Sequence, residues 1–318
     1  MSQGNSSGSQ GHIDAIKGAR AFIIGGSAGI GKGFASAALA AGAKVFVSSS
    51  KPSRISATVA EFQSTYPGAS MSGIAADQAQ ADTTEANLEK VLKTAVAELG
   101  GPLEHIAYTA GDAFDFEPLS AVTAANAYAS WTVRYLGPLL VGKLVTVNPG
   151  MYFKAASSSS ITLTSGIHGS KPFPGLSKSI GWCGAVETLT RALAVDVAPI
   201  RVNNVSPGAI RTAMLEKLPD EAIAGFVKNQ LVREVGTVQQ TAEAYLFSMR
   251  CSFATGQQFV IDGGYTYKGS SAITYRSINF YFTECHLTIL KVVQTGAKAT
   301  KSGHYIITTS LQINHRMP

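Results

Sequence analysis

Cysteine is scarce in this 318-residue chain: three residues, Cys183, Cys251 and Cys285, with no Cys-x-x-Cys pair. An odd count without that spacing argues against a disulfide framework and a zinc site, so no metal is expected and a reducing, cytoplasmic setting fits. Charge is sparse too, at 14% of residues with a net of +6. The basic residues are scattered rather than striped, so nucleic acid is not an expected partner; the surplus suits solubility and one anionic ligand. No run of about 18 apolar residues occurs, so no membrane span is expected. Residues 1–16 are polar and rich in Gly and Ser, lack the apolar core of a secretory leader, and read as a disordered tail. From Gly269 to Pro318 no periodicity is found; this stretch reads as an added lid or oligomerisation arm, or as a poorly ordered extension. Tyrosine is missing altogether between 153 and 244.

What is present is order of another kind. Short apolar runs at 19–25, 44–49, 71–77, 105–111, 160–166, 200–208 and 257–264 alternate with helical patterns. The helices are expected at about 30–41, 53–64, 84–99, 123–145, 185–198 and 237–249. The pattern over 84–99 is the clearest, with Leu88, Val91, Leu92, Ala95, Val96 and Leu99 at i, i+3, i+4 spacing. Repeated βα units imply an α/β fold with a parallel, doubly wound sheet and helices on both faces.

Directly between the first strand and first helix lies GGSAGIGKG (25–33). Glycines let the chain turn sharply and let backbone approach a pyrophosphate, which the helix N-terminus attracts. Gly25, Ser27, Gly29, Ile30 and Gly31 are therefore candidate cofactor residues. The second strand runs into SSSKPSR (48–54). An acidic side chain there would bind a ribose 2′-hydroxyl; its absence beside Ser50, Lys51 and Arg54 suits a 2′-phosphate, so NADP(H) is expected over NAD(H). The plainer alternative is that Lys51 and Arg54 are ordinary solvated charges. Asp77, ending the third strand, is a candidate adenine-side contact.

These segments, with YTAG (108–111), RVNNVSPGAIRT (201–212) and the closing TGQQFVIDGG (255–264), resemble the short-chain dehydrogenase/reductase family over about residues 17–267. The resemblance implies a single Rossmann-type domain, here 17–268, and hydride transfer to or from nicotinamide. It implies that Pro207 and Gly208 flank the nicotinamide. Thr212 then reaches its carboxamide or the diphosphate, and Ala110 and Gly111 line the cofactor cleft. It also implies a homodimer or homotetramer, built on the helices near 123–145 and 185–198, acting on a small molecule.

The family's Asn, Ser, Tyr and Lys all look replaced. Arg134 stands at the Asn position and Gly166 at the Ser position, with Ser165 one residue earlier. Ser179 and Cys183 stand at the Tyr and Lys positions. Ketone reduction leaves an alkoxide that those groups stabilise and protonate; losing one such donor costs about 10²–10³ in rate. An iminium is already cationic, and hydride turns it into a neutral amine without a proton. The chain is also similar to fungal indole-alkaloid-pathway reductases and Diels-Alderases of the malbrancheamide and paraherquamide type, in Arg134 and in GWCGA (181–185). That likeness implies NADPH-dependent iminium reduction, coupled in some members to an intramolecular [4+2] cycloaddition.

Three residues are candidates for the altered chemistry. Arg134 can hydrogen-bond a substrate carbonyl, or else be a structural ion pair. His168 can bond the substrate or relay a proton, or else be a solvated loop histidine. Asp112 can pair with a cation, or else cap a helix. Ser179 and Cys183 read as space-fillers; Trp182 and Phe173 are expected at the pocket, and Trp131 either there or in the core. Two other readings stand beside the reductase: a pericyclase or isomerase that keeps NADP only as a structural element, and a non-catalytic binding protein.

Overall fold

The computed structural model describes residues 15–112 and 117–268, and the backbone of two short strands further on. The chain divides into two units, Met1–Ser270 and Ser271–Pro318. In the second, an antiparallel pair is described, Ala297–Ala299 with Tyr305–Ile307. The expected tail and extension otherwise lie outside the described residues. The expected tail boundary at residue 16 is corrected at its end, because Ile16 is fully buried in the core.

Seven parallel strands form one sheet in the order β3-β2-β1-β4-β5-β6-β7. They are β1 (Arg20–Ile24), β2 (Lys44–Ser49), β3 (Met71–Ala75), β4 (His105–Tyr108), β5 (Ser160–Thr164), β6 (Arg201–Pro207) and β7 (Gln258–Ile261). Neighbouring residues of a strand enter opposite cores, so the strands read as continuous apolar runs. Phe22 and Ile24 pack with α3 (Ala81–Leu99), α4 (Gly137–Val147) and α5 (Ser177–Asp196). Ala21 and Ile23 pack with α1 (Gly29–Ala40), α2 (Pro52–Thr65) and α7 (Val238–Arg250). Helix α6 (Asp220–Lys228) lies between β6 and α7 in the chain. Helix α7 opens with a capping box, in which Thr237 and Gln240 each bond the other's backbone N–H.

Two helix expectations are corrected. The helix foreseen at 185–198 begins at Ser177, so GLSKSIGWCG supplies its first turns. Gly and Ser mimic a turn, but Lys178, Ser179, Trp182 and Cys183 form a buried face that only tertiary packing reveals. The helix foreseen at 123–145 is instead a set of turns, a π-helical turn at Thr132–Leu136, and α4. Ser130 breaks the run with a left-handed φ of 68°.

Burial also sets a pH response. His105 is buried, its Nδ1 2.9 Å from Ser160 Oγ, and burial, aided by Arg201, pushes its imidazole down to about 3. The unfolded chain takes up that proton near pH ~6.5, the native state does not. The stability tied to His105 is therefore complete above pH ~6.5 and lost at about 1.4 kcal/mol per pH unit as pH falls toward the folded value. Urea unfolding at several pH values should show this slope in the wild type and not in His105→Asn.

Candidate active site

The strand order reverses between β1 and β4, and ligands bind at such a switch point beyond the carboxyl ends of the strands. A cleft of about 790 Å³ opens there. Gly25, Ser27, Gly29, Ile30, Gly31, Ser50, Arg54 and Asp77 line one end. Ala110, Gly111, Asp112, Arg134, His168, Pro207, Gly208 and Thr212 also line it. Lys51, a cofactor candidate, does not: it is the exposed N-cap position of α2 and off the lining.

The first end is built for a dinucleotide. Ala28, the N-cap of α1, has no side-chain acceptor, so the first-turn N–H groups are left uncapped by their own helix. Gly25 holds the turn against β4, where a Cβ would lie 2.5 Å from Ala110 N. Thr212 leans over the same turn, its Cγ2 3.3 Å from where a Gly29 Cβ would be. Gln78, unforeseen from sequence, lines the cleft beside Asp77; its buried amide nitrogen and oxygen have no hydrogen-bond partner among the described residues. An unsatisfied buried amide is costly and is what an arriving polar ligand would relieve. The residues present thus fit a dinucleotide cofactor.

The other end gathers Arg134, Asp112 and His168. Arg134 donates through Nη2 to the Asp112 carbonyl, and its Cζ stands 4.2 Å from the Trp182 ring centre. Burial lowers the affinity of its guanidinium for the proton, opposed by Asp112, Cys183 and Tyr108. Asp112 is exposed at the rim. Ser179 is buried and its Oγ is 3.4 Å from the Leu176 carbonyl. Cys183 is wholly buried, 3.7 Å from where a Cβ on Gly166 would be, and burial pushes its thiol up to about 12, with Arg134 opposing. Neither side chain lines the cleft. A thiol so shifted is no nucleophile at neutral pH. Ser165 lines the cleft, its Oγ accepting from Asn204 Nδ2 at 2.8 Å and donating to Glu187 at 3.5 Å.

An aromatic corner completes the wall. His168, in a 3-10 turn after β5, sets its ring edge-on to Phe173 at 4.8 Å, and Phe226 of α6 lies 6.0 Å from Phe173. Burial lowers the His168 pKa, favouring neutral imidazole. His168 is thus a cleft residue rather than a solvated loop histidine. Trp182 is corrected: it lies beneath Arg134 in the core and not on the lining, and Trp131 packs edge-on to Tyr135. Phe226, Met214, Leu215 and Leu218 line the cleft and were not foreseen. The available signal for Phe226 is the amphipathic spacing of Ile223, Phe226 and Val227 in DEAIAGFVK. Among the described residues no cluster of His, Cys, Asp or Glu could hold a metal, and no helix is long and apolar enough to cross a membrane.

Comparison with known proteins agrees with this geometry. The family model of the SDR-like Rossmann domain matches residues 14–267. A short-chain dehydrogenase/reductase of Stachybotrys chlorohalonatus, ATR9, is 38% identical over 78% of this chain and 97% of its own. The short-chain dehydrogenase/reductase malC of Malbranchea aurantiaca is 33% identical over 76% and 92%. The solved MalC reductase/Diels-Alderase of that organism superposes with a TM-score of 0.75, at 32% identity, over 81% of this chain and 100% of that one. With its seven-stranded parallel sheet, its phosphate turn and these relatives, the chain belongs to the short-chain dehydrogenase/reductase family.

Proposed function

We propose that this protein is an NADP(H)-dependent reductase of fungal specialised metabolism. Its substrate is an iminium or similarly activated double bond. The carrying observation is a contrast within one cleft. The phosphate turn and the Pro207-Gly208 turn line it intact, whereas the positions that resemble the proton-passing pair hold buried Ser179 and Cys183.

NADPH, when bound, supplies hydride. The chain's own residues bind and orient. The first-turn amides of α1 receive the diphosphate, and Ser50 and Arg54 receive a 2′-phosphate with no carboxylate at the end of β2 to oppose it. Arg134 holds a substrate carbonyl, Asp112 offsets cationic charge at the rim, and His168 with Phe173 and Phe226 excludes water. Hydride on an iminium carbon moves the C=N pair onto nitrogen and gives a neutral amine, so no proton donor is required. A second reading, cyclisation without redox turnover, is favoured by the Diels-Alderase named alongside reductase for the MalC structure.

Loss of NADPH absorbance, read with product mass, tests the proposal. A cyclic iminium should be consumed at least about 100-fold faster than the matching ketone, the scale of a lost oxyanion donor. Arg54→Ala should weaken NADPH binding about tenfold and leave NADH binding unchanged. Comparable turnover of the ketone would overturn the iminium reading. Cyclised product with NADPH unspent would favour the second reading, and absence of NADPH binding by calorimetry a non-catalytic protein.

A further inference from the structure

We propose that Tyr108 and Trp182 are positioning residues for Arg134, fixing its guanidinium at one point of the cleft wall. The inference rests on the role just given to Arg134. A long arginine side chain in an open cleft would spread over many rotamers, and ordering it carries an entropic cost. Here the order is built in from three directions.

The first is the indole. Trp182 is 1% exposed and presents its ring to the guanidinium, 4.2 Å from Cζ to the ring centre. Such cation–π contact is attractive, the more so when desolvated. The second is bare backbone. A Cβ on Gly111 would fall 2.5 Å from Arg134 Cζ, so the guanidinium occupies space that only glycine leaves open. The Asp112 carbonyl, the next residue along, accepts from Nη2.

The third direction is the helix that carries Arg134. Tyr108, on β4, donates from its hydroxyl to the Val133 carbonyl at 2.7 Å. Val133 belongs to the π-helical turn Thr132–Leu136, which has Arg134 at its centre. An inserted hydroxyl is one of the few causes that hold a helix out of its i→i−4 ladder. Gly137 completes the arrangement, since a Cβ there would collide with the Tyr108 hydroxyl. Burial raises the Tyr108 pKa far above the usual phenol range, so the hydroxyl stays a donor. Tyr108 thus sets the phase of the turn, and Trp182 with Gly111 sets the plane of the guanidinium.

Two measurements on the whole protein test this. In a ¹⁵N spectrum, assigned by its loss in Arg134→Gln, the Arg134 Nε–H should be slow to exchange and shifted upfield by the indole ring current. Both signatures should vanish in Trp182→Leu, and the slow exchange in Tyr108→Phe. Their absence from the wild type, or their survival in both variants, would overturn the positioning role. The second measurement is a double-mutant cycle on kcat for NADPH-dependent iminium reduction. Trp182→Leu and Tyr108→Phe should each lower kcat about tenfold with NADPH affinity unchanged, and Trp182→Phe should restore most of it. In an Arg134→Gln background the same changes should cost less than about twofold. Losses that multiply in that background would mean a general structural role and overturn the proposal. If the spectrum is as expected but Arg134→Gln leaves kcat intact, positioning stands and the catalytic reading of Arg134 fails.

Discussion

Gly31→Ala is expected to lower NADPH affinity at least about 100-fold and to destabilise the fold by about 2 kcal/mol. A Cβ at residue 31 would overlap Thr109 Oγ1 and the Gly25 carbonyl, contacts that real Cβ atoms do not make. Neither neighbour can yield cheaply. Thr109 Oγ1 donates to the Ile24 carbonyl at 2.9 Å, and Gly25 N bonds the Ser48 carbonyl at 2.8 Å. The remaining relief is to lift α1 away from β1 and β4, and that moves the first-turn amides from the diphosphate. Calorimetric titration with NADPH and urea unfolding read the two effects separately. Gly184→Ala is the control: in α5 an added Cβ meets nothing within 4 Å. That change should be neutral or stabilising by up to about 1 kcal/mol. Unchanged NADPH binding in Gly31→Ala would remove the phosphate turn from the cofactor site.

Arg201→Leu should cost about 4 kcal/mol of unfolding free energy, because it takes this guanidinium fork away from the Ser157, Ser248 and Met249 carbonyls. Arg201 is 2% exposed at the start of β6. Its Nε donates to the Ser157 carbonyl at 2.6 Å, Nη1 to Ser248 at 2.5 Å and Ala254 at 3.3 Å, and Nη2 to Met249 at 3.1 Å. Ser248 and Met249 belong to the last turn of α7, where helical carbonyls lack partners and a cation is favoured. Lysine keeps the charge but not the planar fork, so Arg201→Lys should recover less than half of the loss. Denaturant midpoints at fixed pH measure both variants. A cost below about 1 kcal/mol for Arg201→Leu would show that water takes over these carbonyls. The arginine of RVNNVSPG is thus a structural clamp between β6 and α7, while Pro207 and Gly208 of the same motif line the cleft.

The readable parts of this chain are those whose cause is local. Gly25, Gly29 and Gly31 announce a phosphate turn because the turn needs that backbone at that spacing. The runs FII and VFV announce strands covered on both faces because successive residues enter different cores. Those patterns suffice for the α/β class, the order of the strands and many of the residues that line the cleft. Tertiary contact decided the rest. Ser177–Cys183 is helix because a face of it meets the core, although its residues favour a turn. The segment before α4 is a π-turn because a tyrosine hydroxyl 25 residues upstream takes the Val133 carbonyl. Trp182 turns inward to hold Arg134, and Gln78 and Phe226 reach the cleft from elements with no motif of their own. Backbone geometry is written in neighbouring residues. Which side chain faces which is settled only when distant segments are pressed together, and the cleft wall around Arg134 is built from such meetings.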